Sequence, residues 1–224
     1  MSPQGCSRHP AAGHAAGYCA ACLLEGALAA AEEKSAAPGG FTIQVPLGES
    51  DAGSVFLVRG DLPSPRLLRL KRWRTQAPAG FRERFTELRT QLERWGEPAI
   101  VLPVTAWVDA AGCPSVLTEF RQGMPLLDSV SSRWLGVDLA ISGLRHVHEV
   151  ISAAHARGLA HGSLVAGNVF AARPDGAPYL LDFGFARLFP PGSSVSSPAE
   201  SDLHGLARIE AAVRALNSST SPGV

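Results

Sequence analysis

The sequence predicts an α+β protein built as two segregated layers, and three observations carry that prediction. Apolar residues follow a strand-like pattern through residues 41–45, 54–58 and 66–73. The apolar period switches to three and four residues at Phe81, and two further stretches, about 138–155 and 202–216, keep that helical spacing. Strands first, one helix among them, then mostly helix is the order expected of a sheet-rich part followed by a helical part, with a cleft between them.

Each element has its own local reason. FTIQV (41–45) and SVFLV (54–58) flank the turn-prone LGESDAG, and RLLRLKRW (66–73) follows the turn region GDLPSP, so three consecutive antiparallel strands are expected. In FRERFTELRTQLERW (81–95), Phe81, Phe85, Leu88 and Leu92 line one helical face, and Gly96 and Pro98 stop the helix. Residues 100–108 and 115–120 read as two more strands joined through AAGCP. A second helix is expected at about 138–155, with Leu144, Val147, Ile151 and Ala154 as its buried stripe. Short strands around 168–171 and 179–181 are turned by Pro174-Asp175-Gly176. Residues 190–201 are rich in Pro, Ser and Gly, 202–216 is helical in pattern, and 217–224 reads as a flexible tail. The expected organisation is a Cys/His module with a short helix at 1–34, a linker at 35–40 (SAAPGG), a first part at 41–120 and a second at 121–216.

Composition excludes several function classes. The 224 residues hold 20 basic and 20 acidic side chains, so there is no net charge to draw the chain onto nucleic acid or an anionic membrane. With 46% apolar and 18% charged residues, the chain is not of disordered composition. The apolar stretch 23–31 carries Glu25 and falls well short of the ~20 residues a spanning helix needs. The start, MSPQGCSRHP, lacks a basic segment followed by an apolar run, so a cytoplasmic protein is expected, with thiols that ligate metal or stay free.

Three short stretches stand in an order that assigns chemistry. Gly48-Glu49-Ser50-Asp51-Ala52-Gly53 lies between two predicted strands and is followed by Val55. Lys71 lies on the third strand, in a chain whose only other lysine is Lys34. His161-Gly162-Ser163-Leu164, with Asn168 five residues after the serine, precedes a hairpin ending in Asp182-Phe183-Gly184. Phosphoryl transfer needs a cation on a rigid strand and oxygen ligands for a hard metal, and these residue types supply both.

In these motifs residues 41–216 resemble the protein-kinase family, and bacterial Ser/Thr kinases in particular, most clearly in AHARGLAHGSLVAGNVF and YLLDFGFARL. The resemblance implies a two-lobed kinase-like fold with a shortened C-lobe. It implies that Gly48, Gly53 and Val55 cover the nucleotide, that Lys71 pairs with its phosphates, and that Glu87 holds that lysine. Thr118, Glu119, Phe120 and Arg121 fall beside adenine, Asn168 and Asp182 hold Mg²⁺ for ATP, and Asp202 braces the catalytic loop. The competing reading of Glu87, which shares its helix with Glu83 and Glu93, is a charge on a wet face, and Gln91 stands one turn on where an apolar residue is expected.

The chain also departs from the pattern. Ser163 replaces the catalytic aspartate, a group whose help as general base is typically worth ~10²–10⁴ in rate. Val165 replaces the lysine two residues later, Ser50 the middle glycine of the loop, and Arg69 the small residue two before Lys71. The stretch from Asp182 to Asp202 is short, and Ser197-Pro198-Ala199-Glu200 stands where Ala-Pro-Glu is expected. These departures imply a pseudokinase with weak or no ATP binding that regulates or scaffolds a protein partner, such as an active kinase or another signalling protein. The alternatives are an active atypical Ser/Thr kinase using Lys71, Asn168 and Asp182 with Mg-ATP, and an inert relic.

At the N-terminus, Cys6-x-x-His9 and Cys19-x-x-Cys22 form two pairs of two-residue spacing, the arrangement that offers four N/S ligands to tetrahedral Zn²⁺. The stretch YCAACLLEGALAAAE resembles the small zinc ribbons that precede some bacterial kinase domains, with His14 as a spare ligand; incidental thiols are the competing reading.

Overall fold

The computed structural model describes residues 40–60, 66–189 and 197–218, together with the backbone of two short strands near the N-terminus. Those two, β1 (His14–Ala15) and β2 (Tyr18–Cys19), pair antiparallel with His14 opposite Cys19. The proposed zinc ligands Cys6, His9 and Cys22, and the Cys19 side chain, lie outside the described residues. The chain divides into two compact units, one of residues 1–77 and 103–120, the other of 78–102 and 121–224.

The first unit is a five-stranded antiparallel sheet in the order β3-β4-β5-β7-β6. Its strands are β3 (Phe41–Ser50), β4 (Gly53–Gly60), β5 (Leu67–Trp73), β6 (Pro103–Val108) and β7 (Pro114–Glu119). β3 and β4 meet through a two-residue turn, with Ser50 opposite Gly53, so the glycine-containing stretch is the tip of a tight hairpin rather than an open loop. One face carries Val58, Leu68, Leu70, Trp107 and Leu117, with Phe41, Ile43, Phe56 and Val104 against them. Phe41 stacks on Trp107 with ring centroids 6.2 Å apart. Period-two alternation sends the other set, Val55, Lys71 and Val116, to the opposite face, where they sit in one row across three strands.

The second unit is mainly helical. Helix α1 (Phe81–Trp95) buries Phe81, Phe85, Leu88 and Leu92, the stripe its spacing predicts, and ends on Gly96 in the left-handed conformation. β8 (Gly123–Pro125) and α2 (Leu126–Ser131) follow the first unit's last strand. α3 (Val137–His155) packs Leu144, Val147, Ile151 and Ala154 inward, as its pattern requires. β8, β9 (Val169–Ala172) and β10 (Pro178–Leu180) form a small antiparallel sheet in the order β10-β9-β8. A last helix, α4 (Pro198–Ser218), lies against α3.

Two expectations change here. The strand expected from residue 100 begins at Pro103; before it, Ile100 makes a parallel bridge to Leu180, and the Val101 N–H donates to the Leu180 carbonyl at 3.0 Å. The last helix starts at Pro198, not 202, because Ser197-Pro198-Ala199-Glu200 is a capping box. The Glu200 N–H donates to Ser197 Oγ at 3.2 Å, and the Ser197 N–H donates to the Glu200 carboxylate at 3.1 Å.

Candidate functional site

In the first unit the candidate residues gather on and around β3, β4 and β5. Val55 is paired with Lys71, and Lys71 with Val116, so the lysine is flanked by apolar side chains on both sides. Its Nζ stands 5.1 Å from the centroid of the Trp73 ring, within cation–π range. Arg69 lies one pair further along the same face, between Leu57 and Thr118, while Glu119 pairs with Leu68 on the opposite face.

The hairpin tip is tied down by a residue the sequence did not single out. Just after β5, the Arg74 N–H donates to the Ala52 carbonyl at 3.1 Å, Nη1 donates to the Ser50 carbonyl at 2.8 Å, and Nη2 pairs with the Glu49 carboxylate. Of the two loop glycines only Gly53 is sterically required. A Cβ there would lie 2.1 Å from the Arg72 carbonyl oxygen, whereas one on Gly48 would meet nothing within 4 Å.

The second unit holds the loop around Ser163 and the Asp182-Phe183-Gly184 triplet, and these sit in one connected frame. Asp202, fully buried on α4, accepts the N–H groups of His161 and Gly162, both at 2.8 Å, and His155 Nε2 at 3.1 Å. This is the bracing role expected of Asp202, with His155 as an added partner that helical spacing alone did not reveal. His161 is buried too. Its Nε2 donates to the Leu181 carbonyl at 3.0 Å, and its ring meets Phe183 edge-on at 5.4 Å. Burial pushes the imidazole below its ordinary 6.5, against the opposing pull of Asp202 and then Asp182. The ring is therefore neutral and donates from Nε2; Nδ1 has no partner among the described residues.

Ser163 is exposed, and among the described residues its hydroxyl has no hydrogen-bond partner; it is held through its carbonyl, which accepts Asn168 Nδ2 at 3.0 Å. That bond engages the amide nitrogen of Asn168 and leaves the lone pairs of Oδ1 for another partner. The Leu181 N–H donates to the Asn168 carbonyl at 2.9 Å, so Asn168 and Asp182 stand on adjoining backbone. Asp182 is 4% exposed with φ of 57°, the left-handed conformation that Asp tolerates better than most residues.

An amide oxygen and a carboxylate are the hard donors that Mg²⁺ takes, with phosphate and water completing its shell. Among the described residues no group of three or more His, Cys, Asp or Glu is placed to hold a metal ion.

Two other candidates have engagements within this unit. Glu87 is exposed on α1 and accepts from Gln91 Nε2 at 3.1 Å. The Arg121 guanidinium donates to the carbonyls of Pro98 and Ile100, and its own carbonyl accepts the Tyr179 hydroxyl at 3.1 Å. Gln91, the polar residue where an apolar one was expected, links Glu87 to Arg187.

The chain is 42% identical over 82 residues to the serine/threonine-protein kinase Pkn1 of Myxococcus xanthus, a match covering 34% of this chain and 11% of that protein. It is 30% identical over 162 residues to the serine/threonine-protein kinase pkn2 of the same organism, covering 70% of this chain and 19% of that one. The chain thus spans less than a fifth of either relative's length. The crystal structure of the Mycobacterium tuberculosis PknI kinase domain superposes with a TM-score of 0.61 at 23% identity, over 81% of this chain and 76% of that one. A mutant form of the same domain gives 0.60 at 24% identity, over 85% and 82%. No family model matches the sequence.

Proposed function

We propose that this protein-kinase-like domain, homologous to Ser/Thr protein kinases, is a pseudokinase: a regulatory or scaffolding module of the cytoplasm that docks a protein partner and binds ATP weakly or not at all. The observation that carries the reading is Ser163. It stands where the resemblance calls for a carboxylate, and among the described residues its hydroxyl has no partner to accept its proton. An isolated hydroxyl is no base near neutral pH, and the lost contribution is ~10²–10⁴ in rate. Val165 removes a second charge from the same loop, and Arg69 places a guanidinium on the face that carries Lys71.

A second reading, an active atypical kinase, is favoured by the residue types at Lys71, Asn168 and Asp182, which fit the pattern the resemblance implies, and by the hydrogen bond that sets the last two on adjoining backbone. Positioning and metal electrostatics supply most of phosphoryl transfer, so the base is not its only source of rate. Incubation with γ-labelled ATP, Mg²⁺ and a generic protein substrate separates the two. The pseudokinase reading predicts no label transfer above that of Lys71→Ala. Transfer by the natural chain that Lys71→Ala and Asp182→Ala abolish would establish the enzyme. We propose in addition that Cys6, His9, Cys19 and Cys22 bind one structural zinc ion whose affinity supplies the folding energy of residues 1–34.

A further inference from the structure

We propose that helix α1 and the 3-10 turn Phe185–Leu188 form a preformed clasp that fixes the segment following Asp182 in one conformation, independently of nucleotide or metal, with Arg84 as its positioning residue. The contacts run the length of the helix on one stripe. Phe81 meets Phe189 with ring centroids 6.0 Å apart, and Trp95 meets Phe183 edge-on at 6.1 Å. Between them, Gly184 has φ of 75° and lies so close to α1 that an added Cβ would be 2.6 Å from Leu88 Cδ1. Arg84 makes the most directional bond. Its Nε and Nη2 both donate to the Leu188 carbonyl, at 3.1 and 3.0 Å, in a half-buried setting. That carbonyl ends the turn, where unpaired oxygens gather partial negative charge, and a guanidinium fork suits it in both shape and sign. Further along, Arg187 Nη1 donates to Gln91 Oε1 at 3.1 Å, and Gln91 in turn donates to Glu87. Gln91 therefore has a reason to be polar: an apolar residue there could neither accept from Arg187 nor occupy the Glu87 carboxylate.

The clasp makes the triplet's surroundings a property of the fold instead of a response to ligand. It does not depend on whether ATP binds, so it can fail or stand apart from the pseudokinase reading. Three turn bonds report on it: the N–H groups of Phe185, Arg187 and Phe189 donate to the carbonyls of Asp182, Gly184 and Ala186. Amide hydrogen exchange of the full chain reads them directly. Residues 185–189 should be protected equally with and without millimolar Mg-ATP. Arg84→Met, which keeps the aliphatic stem and removes both donors, should speed exchange there about tenfold while leaving α3 and α4 unchanged. Arg84→Lys, with a single charged nitrogen in place of the fork, should fall between, and the half-buried Gln91→Leu should give about a twofold change. Unchanged exchange at 185–189 in both Arg84→Met and Gln91→Leu would overturn the clasp, as would protection there that changes with Mg-ATP. Thermal stabilisation by Mg-ATP with exchange at 185–189 unaltered would leave the clasp standing and sink the non-nucleotide reading.

Discussion

Asp202 and His161 concentrate the second unit's electrostatics in one buried place. The carboxylate accepts from two backbone N–H groups and from His155, so removing it strands buried donors as well as a charge partner. Asp202→Ala should therefore lower unfolding free energy by about 3–5 kcal/mol in urea titrations. A loss below about 1 kcal/mol would mean that water replaces the carboxylate at little cost. His161 adds a pH dependence whose sign follows from its burial. Its folded value is depressed below 6.5, so as pH falls through 6.5 the unfolded chain takes up a proton that the folded chain resists. Stability from this group is complete above that value and declines below it until the folded imidazole also protonates. Denaturant midpoints measured from pH 8 to pH 5 should fall on the acid side, and less steeply in His161→Gln. Much of this was legible: the motif order picked out Ser163, Asn168, Asp182 and Asp202. Arg74 and Arg84 were not, since an arginine among many arginines gains a role only from the carbonyl it reaches, and that carbonyl lies 24 residues away for Arg74 and 104 for Arg84.

Helices announced themselves where one face had to be buried, and less well where an end depends on hydrogen bonding. The stripe of Phe81, Phe85, Leu88 and Leu92 gave α1 both its existence and its ends, because glycine in the left-handed conformation follows at once. The start of α4 was missed by one turn because Pro198 reads as a breaker until Ser197 and Glu200 are recognised as a reciprocal cap around a first-turn proline. Ser197→Ala should cost about 1 kcal/mol in the same titrations, with Glu200→Ala non-additive to it because each side chain caps the other's N–H. Additive effects would separate the two side chains into independent surface residues. The glycine stretch 48–53 likewise read as a loop. Antiparallel pairing reaches Ser50 and Gly53, and Arg74 holds the tip from the neighbouring strand end. β8 and α2 escaped notice because three residues of strand and six of helix are too short for a period to repeat.

For the molecule as a whole, the α+β class followed from element order and the kinase-like fold from the family resemblance that the motifs carry, while the proposed function rests on substitutions within the motifs. Among the described residues no helix is long and apolar enough to cross a membrane. The N-terminal module predicts a metal: about one equivalent of zinc should survive dialysis, and fewer than about 0.2 equivalents would reject four-ligand coordination by Cys6, His9, Cys19 and Cys22. The central claim, that a kinase-like domain has lost its chemistry and with it most of its hold on nucleotide, is tested most directly by thermal unfolding in Mg-ATP. The account predicts no saturable stabilisation up to millimolar nucleotide. Stabilisation approaching ~2.7 kcal/mol at about 100 times the dissociation constant, abolished in Lys71→Ala and in Asp182→Ala, would contradict it.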